Sequence, residues 1–292
     1  PVTPPPPPPT NPTALTLKER YMDVRERIAR AAARGGRRES DIILVAVTKY
    51  AEPDQIRELI SLGHRDFGEN KVQQLVQRAA VIDEWLGRQK SMPGAARALS
   101  SQGGAVTAGG VAGAGGGVRW HMIGHLQRNK VRKALECARL IHSVDSLRIA
   151  EEIQAVANKR DQTVDILLQV NVSGEPSKHG CALPAALPLA EQIETMVQVR
   201  LRGLMTMAPL SPNPEDARPH FARLRELFEE MRQAGIGSTG RGAGHFNILS
   251  MGMSHDFEVA IEEGANLVRV GTSIFGEPPA GVAEQDDGDD EE

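Results

Sequence analysis

The sequence predicts a single α/β domain, a (β/α)8 TIM-like barrel preceded by an N-terminal helix. Short runs rich in β-branched residues alternate with amphipathic helical segments along most of the chain, which is the pattern of a parallel sheet. Eight such strands follow one another, and eight strands close a barrel. Only 3% of the 292 residues are aromatic, so the core must be mainly aliphatic. We expect the barrel to span residues 15–277.

The first strand is the clearest element. Residues 42–47 form an uninterrupted apolar run, typical of a strand buried on both faces. An amphipathic helix over residues 15–33 precedes it, and a helix that begins near Pro53 follows it. The other predicted strands are RDFGEN, VRWHMIG, RLIHSV, VDILLQVNV, RLRGLMTM, HFNILSMG and ANLVRVGTSIFG, and the helices between them include HLQRNKVRKALECA.

Three segments do not fit the alternating pattern. Residues 1–14 are rich in proline, and residues 278–292 form an acidic end; we expect both to be disordered. Between Arg88 and Val118, Gly and Ala supply sixteen of thirty-one positions, which predicts a flexible insertion at 88–118. Loop closure becomes only slowly more costly with length, so a barrel tolerates such an insertion.

Composition argues against several classes of protein. The net charge is −4, but seven acidic residues lie in the last nine positions, so the rest of the chain is nearly balanced. That balance favours neither a nucleic-acid protein nor a membrane-surface protein. Cys137 and Cys181 are too few for a disulfide framework, and no apolar stretch is long enough for a membrane span. We expect a cytoplasmic protein.

A lysine follows the first strand directly. Lys49 stands at the carboxyl end of that strand, and this edge of a parallel barrel is where ligands bind. A partly desolvated lysine can form a Schiff base with a carbonyl group. Lys49 is therefore a candidate for Schiff-base chemistry, and the ordinary alternative is a lysine that reaches out to solvent.

Small residues follow the last two predicted strands, in SMGMS and RVGTS. Barrels commonly bind phosphate at this place, because small residues let backbone N–H groups approach an anion. Tight turns are the ordinary alternative for each loop alone, but two such loops on adjacent strands favour a phosphate site. The candidate residues are Ser250, Met251, Gly252, Gly271 and Thr272.

Arg269 alternates with Val268 and Val270, so its charged side chain lies within an apolar strand and must have a partner. A carboxylate such as Glu69 is one possible partner, and an aromatic nitrogen of a ligand is the other. A Schiff-base lysine, an arginine for a ring nitrogen and a phosphate site together describe pyridoxal 5′-phosphate (PLP). His121 and His125 flank a strand end and should diverge, so we expect no metal site there.

The sequence resembles the pyridoxal phosphate homeostasis proteins, whose barrel is similar to the amino-terminal domain of bacterial alanine racemase. The motifs that carry the resemblance are LVAVTKY, DFGENKVQQ, WHMIGHLQRNK, IHSVDS, LLQVNVSGEPSKHG, LRGLMTMAP, LSMGMSHDFEVAI and GANLVRVGTSIFG. The resemblance implies that Lys49 holds PLP as a Schiff base and that Arg269 faces its pyridine nitrogen. The other positions implied for the cofactor are Asn70, His125, Ser250, Met251, Gly252, Gly271 and Thr272.

Binding is expected rather than turnover. In the racemases a tyrosine from a second domain supplies the second base, whereas Tyr21 and Tyr50 are the only tyrosines here and neither is well placed to face Lys49. We expect a protein of PLP homeostasis, with PLP-dependent apo-enzymes as possible recipients and no nucleic-acid or membrane partner. Without the second domain we also expect a monomer. A PLP-dependent amino-acid racemase and a cofactor-free Schiff-base aldolase are the alternatives.

Overall fold

The computed structural model describes residues 15–90, 117–176, 178–238 and 244–277. The ends at 1–14 and 278–292, which were expected to be disordered, therefore lie outside the described residues. Most of the insertion predicted at 88–118 also lies outside. At its start the chain is still helical, because the helix that begins at Val72 continues through Lys90.

Strands and helices alternate along the described residues as the sequence predicts. The strands are β1 (Ile43–Val47), β2 (Asp66–Glu69), β3 (Arg119–Met122), β4 (Ala138–Val144), β5 (Val164–Asn171), β6 (Cys181–Ala182), β7 (Val199–Met205), β8 (Ile248–Ser250) and β9 (Leu267–Val270). The helices are α1 (Leu17–Arg34), α2 (Pro53–Ser61), α3 (Val72–Lys90), α4 (Val131–Ala134), α5 (Leu147–Lys159), α6 (Ala186–Glu194), α7 (Arg218–Gln233), α8 (Phe257–Glu262) and α9 (Thr272–Phe275).

The barrel predicted from the sequence is confirmed. Eight parallel strands pair in the order β1, β2, β3, β4, β5, β7, β8 and β9, and β9 pairs with β1 to close the ring. The two-residue strand β6 pairs only with the carboxyl end of β5, at Val170 and Asn171. All strand ends that carry the predicted site residues therefore open at one mouth of the barrel.

Helix α1 begins at a capping box formed by Thr16 and Glu19, in which each side chain accepts a hydrogen bond from the other residue's backbone N–H. Its buried face includes Tyr21, Val24 and Ile28. Arg20 donates from Nε to the backbone oxygen of Ile274 at 2.7 Å, which ties the helix to α9. The N-terminal helix thus packs on the outside of the barrel, beside its last elements.

Alternation along the strands separates two cores. Side chains facing the helices form the larger core, and a smaller cluster fills the barrel: Val45, Leu140, Leu167, Met205, Ile248 and Leu267. Because successive side chains point to opposite faces of a strand, residues two or four positions from these also face inward. On this count His142, Ser250 and Arg269 lie on the inner side of the barrel wall.

Several elements are shorter than predicted. The helix expected over HLQRNKVRKALECA is limited to α4, after a 3-10 turn at Arg128–Lys130, and Leu126 is buried ahead of it. Strand β8 begins only at Ile248, where the Asn266 side chain accepts from the Leu249 N–H and donates to the Asn247 carbonyl. Strand β9 ends at Val270, and the predicted extension through Phe275 forms helix α9 instead.

Among the described helices, none combines the length and apolar character needed to cross a membrane.

Candidate functional site

Lys49 lies two residues beyond the end of β1, in a turn at the mouth of the barrel. Its side chain is half-buried, and its Nζ lies 4.9 Å from the centre of the Tyr50 ring. An ammonium group over an aromatic face is attracted by the ring quadrupole, by about 0.5–1 kcal/mol at an exposed site. The structure thus places the predicted Schiff-base lysine in the turn that follows β1, at the mouth of the barrel.

The turn that carries Lys49 is held from helix α3 by an arginine that the sequence analysis did not single out. Arg78 donates from Nη1 to the backbone oxygen of Thr48, and from Nη2 to the oxygen of Ala51 at 3.1 Å. The same Nη1 contacts the carboxylate of the buried Glu69, which also accepts from the Thr48 hydroxyl. Arg78 therefore fixes the backbone on both sides of Lys49.

Arg269 is buried inside the barrel, and its partners are not those weighed from the sequence alone. Nη1 donates to Ser250 Oγ at 2.5 Å and Nη2 donates to the backbone oxygen of Thr206 at 2.9 Å. Pairing with Glu69, one of the two alternatives, is not observed among the described residues: Arg269 bonds to Ser250 and Thr206, whereas Glu69 contacts Arg78 and Thr48. Burial lowers the pKa of Arg269 to about 10, against a smaller opposing effect of Asp256. The guanidinium therefore remains a cation at neutral pH.

A chain of buried polar groups continues from Ser250 through the interior of the barrel. Ser250 Oγ lies 3.1 Å from His142 Nδ1, and His142 Nε2 lies 3.0 Å from His121 Nδ1. His121 Nε2 in turn lies 3.1 Å from Asp66 Oδ1. This chain, which we call the interior relay, joins Arg269 on β9 to a carboxylate on β2, and β1 is the one strand between them in the ring.

Both ends of the interior relay carry charge. Burial by itself would raise the pKa of Asp66, but hydrogen bonds from His121 and Arg119 lower it well below its usual range. Asp66 is therefore ionised, with Arg119 donating to both carboxylate oxygens. Burial lowers the pKa of His142 well below its ordinary value, and His121 and Arg269 act in the same direction. His142 is therefore neutral in the folded protein.

For a His121 ring that carries a single proton, one arrangement of protons satisfies every atom of the interior relay. Asp66 accepts from His121 Nε2–H, so His121 Nδ1 must accept from His142 Nε2–H. His142 Nδ1 then accepts from the Ser250 hydroxyl, whose oxygen accepts from Arg269. In this arrangement each group donates to the next one along the relay, from the cationic Arg269 to the ionised Asp66.

The two small-residue loops after β8 and β9 lie together, as expected for a phosphate site, but their groups are used unequally. Ser254 Oγ accepts from the N–H groups of Gly271, at 3.1 Å, and Ser273, at 3.4 Å. The Ser250 hydroxyl belongs to the interior relay, and the Met251 side chain is buried in the outer core. Among the described residues, the N–H groups of Gly252 and Thr272 donate no hydrogen bond and remain for an anion.

Gly252 is required at its position in the first of these loops. Its φ of +94° is a conformation that residues with a Cβ rarely adopt, and a Cβ would lie 2.6 Å from the Ala260 Cβ and 2.8 Å from the Phe257 Cα. The loop therefore passes so close to helix α8 that there is no space for a side chain at this position.

Asn70 and His125 stand at the ends of β2 and β3, on the same rim. A cavity of about 120 Å³ is lined by both of them together with Lys71, Gln73, Gln127 and Lys130. Asn70 Oδ1 is buried and has no hydrogen-bond partner among the described residues. His121 points into the barrel, whereas His125 is 40% exposed at the mouth, so the two histidines diverge as expected.

The sequence matches the family model "Alanine racemase, N-terminal domain" over residues 26–279. It is 37% identical over 263 residues to the pyridoxal phosphate homeostasis protein of Aquifex aeolicus, covering 89% of this chain and 97% of that one. Its identity to the pyridoxal phosphate homeostasis protein of Pseudomonas aeruginosa is 38% over 264 residues, covering 89% and 95% of the two chains.

Two solved structures have a similar fold. PipY of Synechococcus elongatus, determined with PLP bound, superimposes with a TM-score of 0.67 at 30% identity and covers 89% of this chain and 100% of that one. An alanine racemase of Clostridium difficile shares the fold, with a TM-score of 0.56 at 13% identity. The comparison covers 91% of this chain and 57% of the racemase.

Proposed function

The chain belongs to the family of pyridoxal phosphate homeostasis proteins, and we propose that it binds PLP at the mouth of its barrel, as a Schiff base on Lys49. It then takes part in PLP homeostasis inside the cell, without substantial turnover. The observation that carries the proposal is that Lys49 follows β1 and that Arg269 lies on β9, the strand that pairs with β1. Val45 of β1 pairs with Arg269, so Lys49 comes four residues further toward the mouth.

The described residues fit this cofactor. The amine of Lys49 would react with its aldehyde, and Arg269 would donate a hydrogen bond to its ring nitrogen from a guanidinium already held by Ser250 and Thr206. The N–H groups of Gly252 and Thr272 would bind its phosphate. Asn70 Oδ1, buried and unpartnered among the described residues, would accept a hydrogen bond at the rim. When bound, PLP supplies an electrophilic aldehyde and an electron-withdrawing ring.

Two features favour binding over turnover. Arg269, a permanent cation, would donate to the ring nitrogen, which would disfavour protonation of that nitrogen and weaken the ring as an electron sink. Neither tyrosine supplies a base opposite Lys49: the Tyr21 hydroxyl lies 3.3 Å from His64 Nδ1 outside the barrel, and the Tyr50 ring lies beside the Lys49 ammonium. The relatives are named for homeostasis and not for a reaction.

The proposal is tested by adding PLP to the purified chain and recording its visible absorption. We then follow the α-proton of alanine and other amino acids by NMR in D₂O. We expect uptake of PLP and no α-proton exchange beyond that of free PLP. Rapid exchange or loss of optical activity would support the racemase alternative instead. Loss of PLP to an added apo-enzyme, faster than to buffer, would support direct transfer.

A further inference from the structure

A second cluster of ligand-type side chains stands on the rim of the barrel, apart from Lys49 and Arg269. His125 follows β3, Asp145 follows β4, and His179 lies in the connection between β5 and β6. One ligand atom from each of these three residues lies within 4.8 Å of the other two. We propose that His125, Asp145 and His179 bind a divalent transition-metal ion, with Zn²⁺ as the fitting example.

The topology of the barrel creates this cluster. Strand β4 pairs with β3 on one side and with β5 on the other, so the residues that follow these strands are neighbours at the mouth. His125 Nδ1 lies 4.0 Å from Asp145 Oδ2, and the rings of His125 and His179 are stacked, with centroids 4.7 Å apart and planes at 16°. Two imidazoles and a carboxylate thus converge from three separate loops.

The backbone behind His179 is well held. Gln169 Nε2 donates to the His179 carbonyl at 3.3 Å, and Asn171 Nδ2 donates to the carbonyl oxygens of Glu175, at 2.8 Å, and Lys178, at 3.2 Å. The imidazole itself is exposed and can turn about its side-chain bonds. Only the side chains therefore need to move for the three ligands to close on an ion.

The chemistry of the donors selects the kind of ion. Imidazole nitrogen suits zinc, iron, cobalt, nickel and copper, whereas Mg²⁺ and Ca²⁺ prefer an all-oxygen set. Ligand atoms of a tetrahedral zinc site lie about 3.3 Å apart, because each is about 2.0–2.1 Å from the metal. The distances between the ligand atoms need to shorten by up to about 1.5 Å to reach that geometry. Three protein ligands leave a position open for water or for a ligand at the mouth.

Titration calorimetry of the full-length chain with ZnCl₂ tests this site. We expect one equivalent to bind, and Asp145→Asn and His179→Ala each to weaken binding at least tenfold. His220→Ala, which removes a histidine on α7, is the control and should bind Zn²⁺ like the wild type. Zinc uptake that none of the ligand substitutions reduces, or no uptake at all, would overturn the proposal.

A second measurement on the wild type avoids any dependence on the variants. The imidazole NMR signals of His125 and His179 should shift on addition of Zn²⁺, while those of His220 should not. Signals of His125 and His179 that stay in place while zinc binds would assign the ion to another part of the chain. His125 is also a position that the resemblance implies for the cofactor, so both measurements use Zn²⁺ alone, without PLP, and their outcome is read separately from that of the Lys49 test.

Discussion

Arg269 Nη1 donates to Ser250 Oγ at 2.5 Å, and this contact makes the predicted cofactor arginine the first member of the interior relay. A buried arginine that lacks a carboxylate partner at contact distance needs its N–H groups satisfied by neutral acceptors. Here the acceptors are a serine hydroxyl and the Thr206 carbonyl. The position of the guanidinium therefore depends on residues that do not touch the cofactor in the proposal.

Ser250→Ala should destabilise the protein, because it leaves donors of Arg269 and the acceptor of His142 without a partner. Loss of a buried partner costs about 1–3 kcal/mol. Urea unfolding would measure this change in the free energy of unfolding. Ser143→Ala is the matched control, since Ser143 is also buried on the barrel wall and its Oγ has no hydrogen-bond partner among the described residues. Equal losses for the two variants would contradict the role given to the Ser250 hydroxyl.

The proton arrangement of the interior relay is itself a prediction. We expect His142, and His121 in its singly protonated form, each to carry the proton on Nε2, which leaves each Nδ1 to accept a hydrogen bond. Imidazole ¹⁵N chemical shifts distinguish the two tautomers and the protonated form. If His142 carried its proton on Nδ1, it would donate to Ser250 Oγ instead of accepting from it. That result would contradict the proton arrangement given for the interior relay.

The stability of the fold should fall in acid partly through His64. Burial lowers the pKa of this histidine to about 4 in the folded protein, so the unfolded chain, with an ordinary value near 6.5, takes up a proton first. The free energy of unfolding therefore has its full value, as far as His64 is concerned, above about pH 6.5, and it decreases as the pH falls toward 4. The difference between these two pKa values corresponds to about 3 kcal/mol.

His64→Gln keeps hydrogen-bonding groups toward Tyr21 and the Asp66 carbonyl but cannot titrate. The free energy of unfolding, measured in urea at pH 7 and pH 4, should therefore fall less steeply in this variant than in the wild type. The same pH dependence in both proteins would show that His64 is not responsible.

Arg78→Lys should slow the uptake of PLP without unfolding the barrel. The planar guanidinium of Arg78 contacts the carbonyls of Thr48 and Ala51 and the Glu69 carboxylate together. A single ammonium group cannot contact all three, so the turn around Lys49 loses its support. Stopped-flow absorption after mixing with PLP would measure the rate. Arg88→Lys on the same helix is the control, because the Arg88 ion pair with Glu84 is exposed. Unchanged uptake in Arg78→Lys would remove Arg78 from the positioning of Lys49.

The sequence was sufficient to predict the barrel, because strand alternation and helical periodicity are local signals. It was also sufficient to place Lys49 just after the first strand and Arg269 within the last one, on its inner face, since side chains alternate along each strand. The partners of Arg269 could not be predicted. His142 and Ser250 come from strands that are not adjacent in the barrel, and only the closed ring brings them across its interior to within 3.1 Å.

The predicted phosphate loops illustrate the same limit. Glycine and serine in SMGMS and RVGTS indicated two loops suited to an anion, and the structure brings those loops together through Ser254. Which groups remain as donors depends on hydrogen bonds that no local pattern encodes: the Ser250 hydroxyl is used inside the barrel, whereas the Gly252 N–H is not used among the described residues. Arg78 was missed because its helical position looked like an ordinary solvent-exposed face.

Borohydride reduction of the PLP-loaded chain, followed by peptide mass spectrometry, tests the central claim most directly. The reduced cofactor should be attached to the peptide that contains Lys49, and Lys49→Ala should carry no attached cofactor while remaining folded. Attachment at another lysine, or none in the wild type after loading with PLP, would contradict the assignment of Lys49 as the Schiff-base residue.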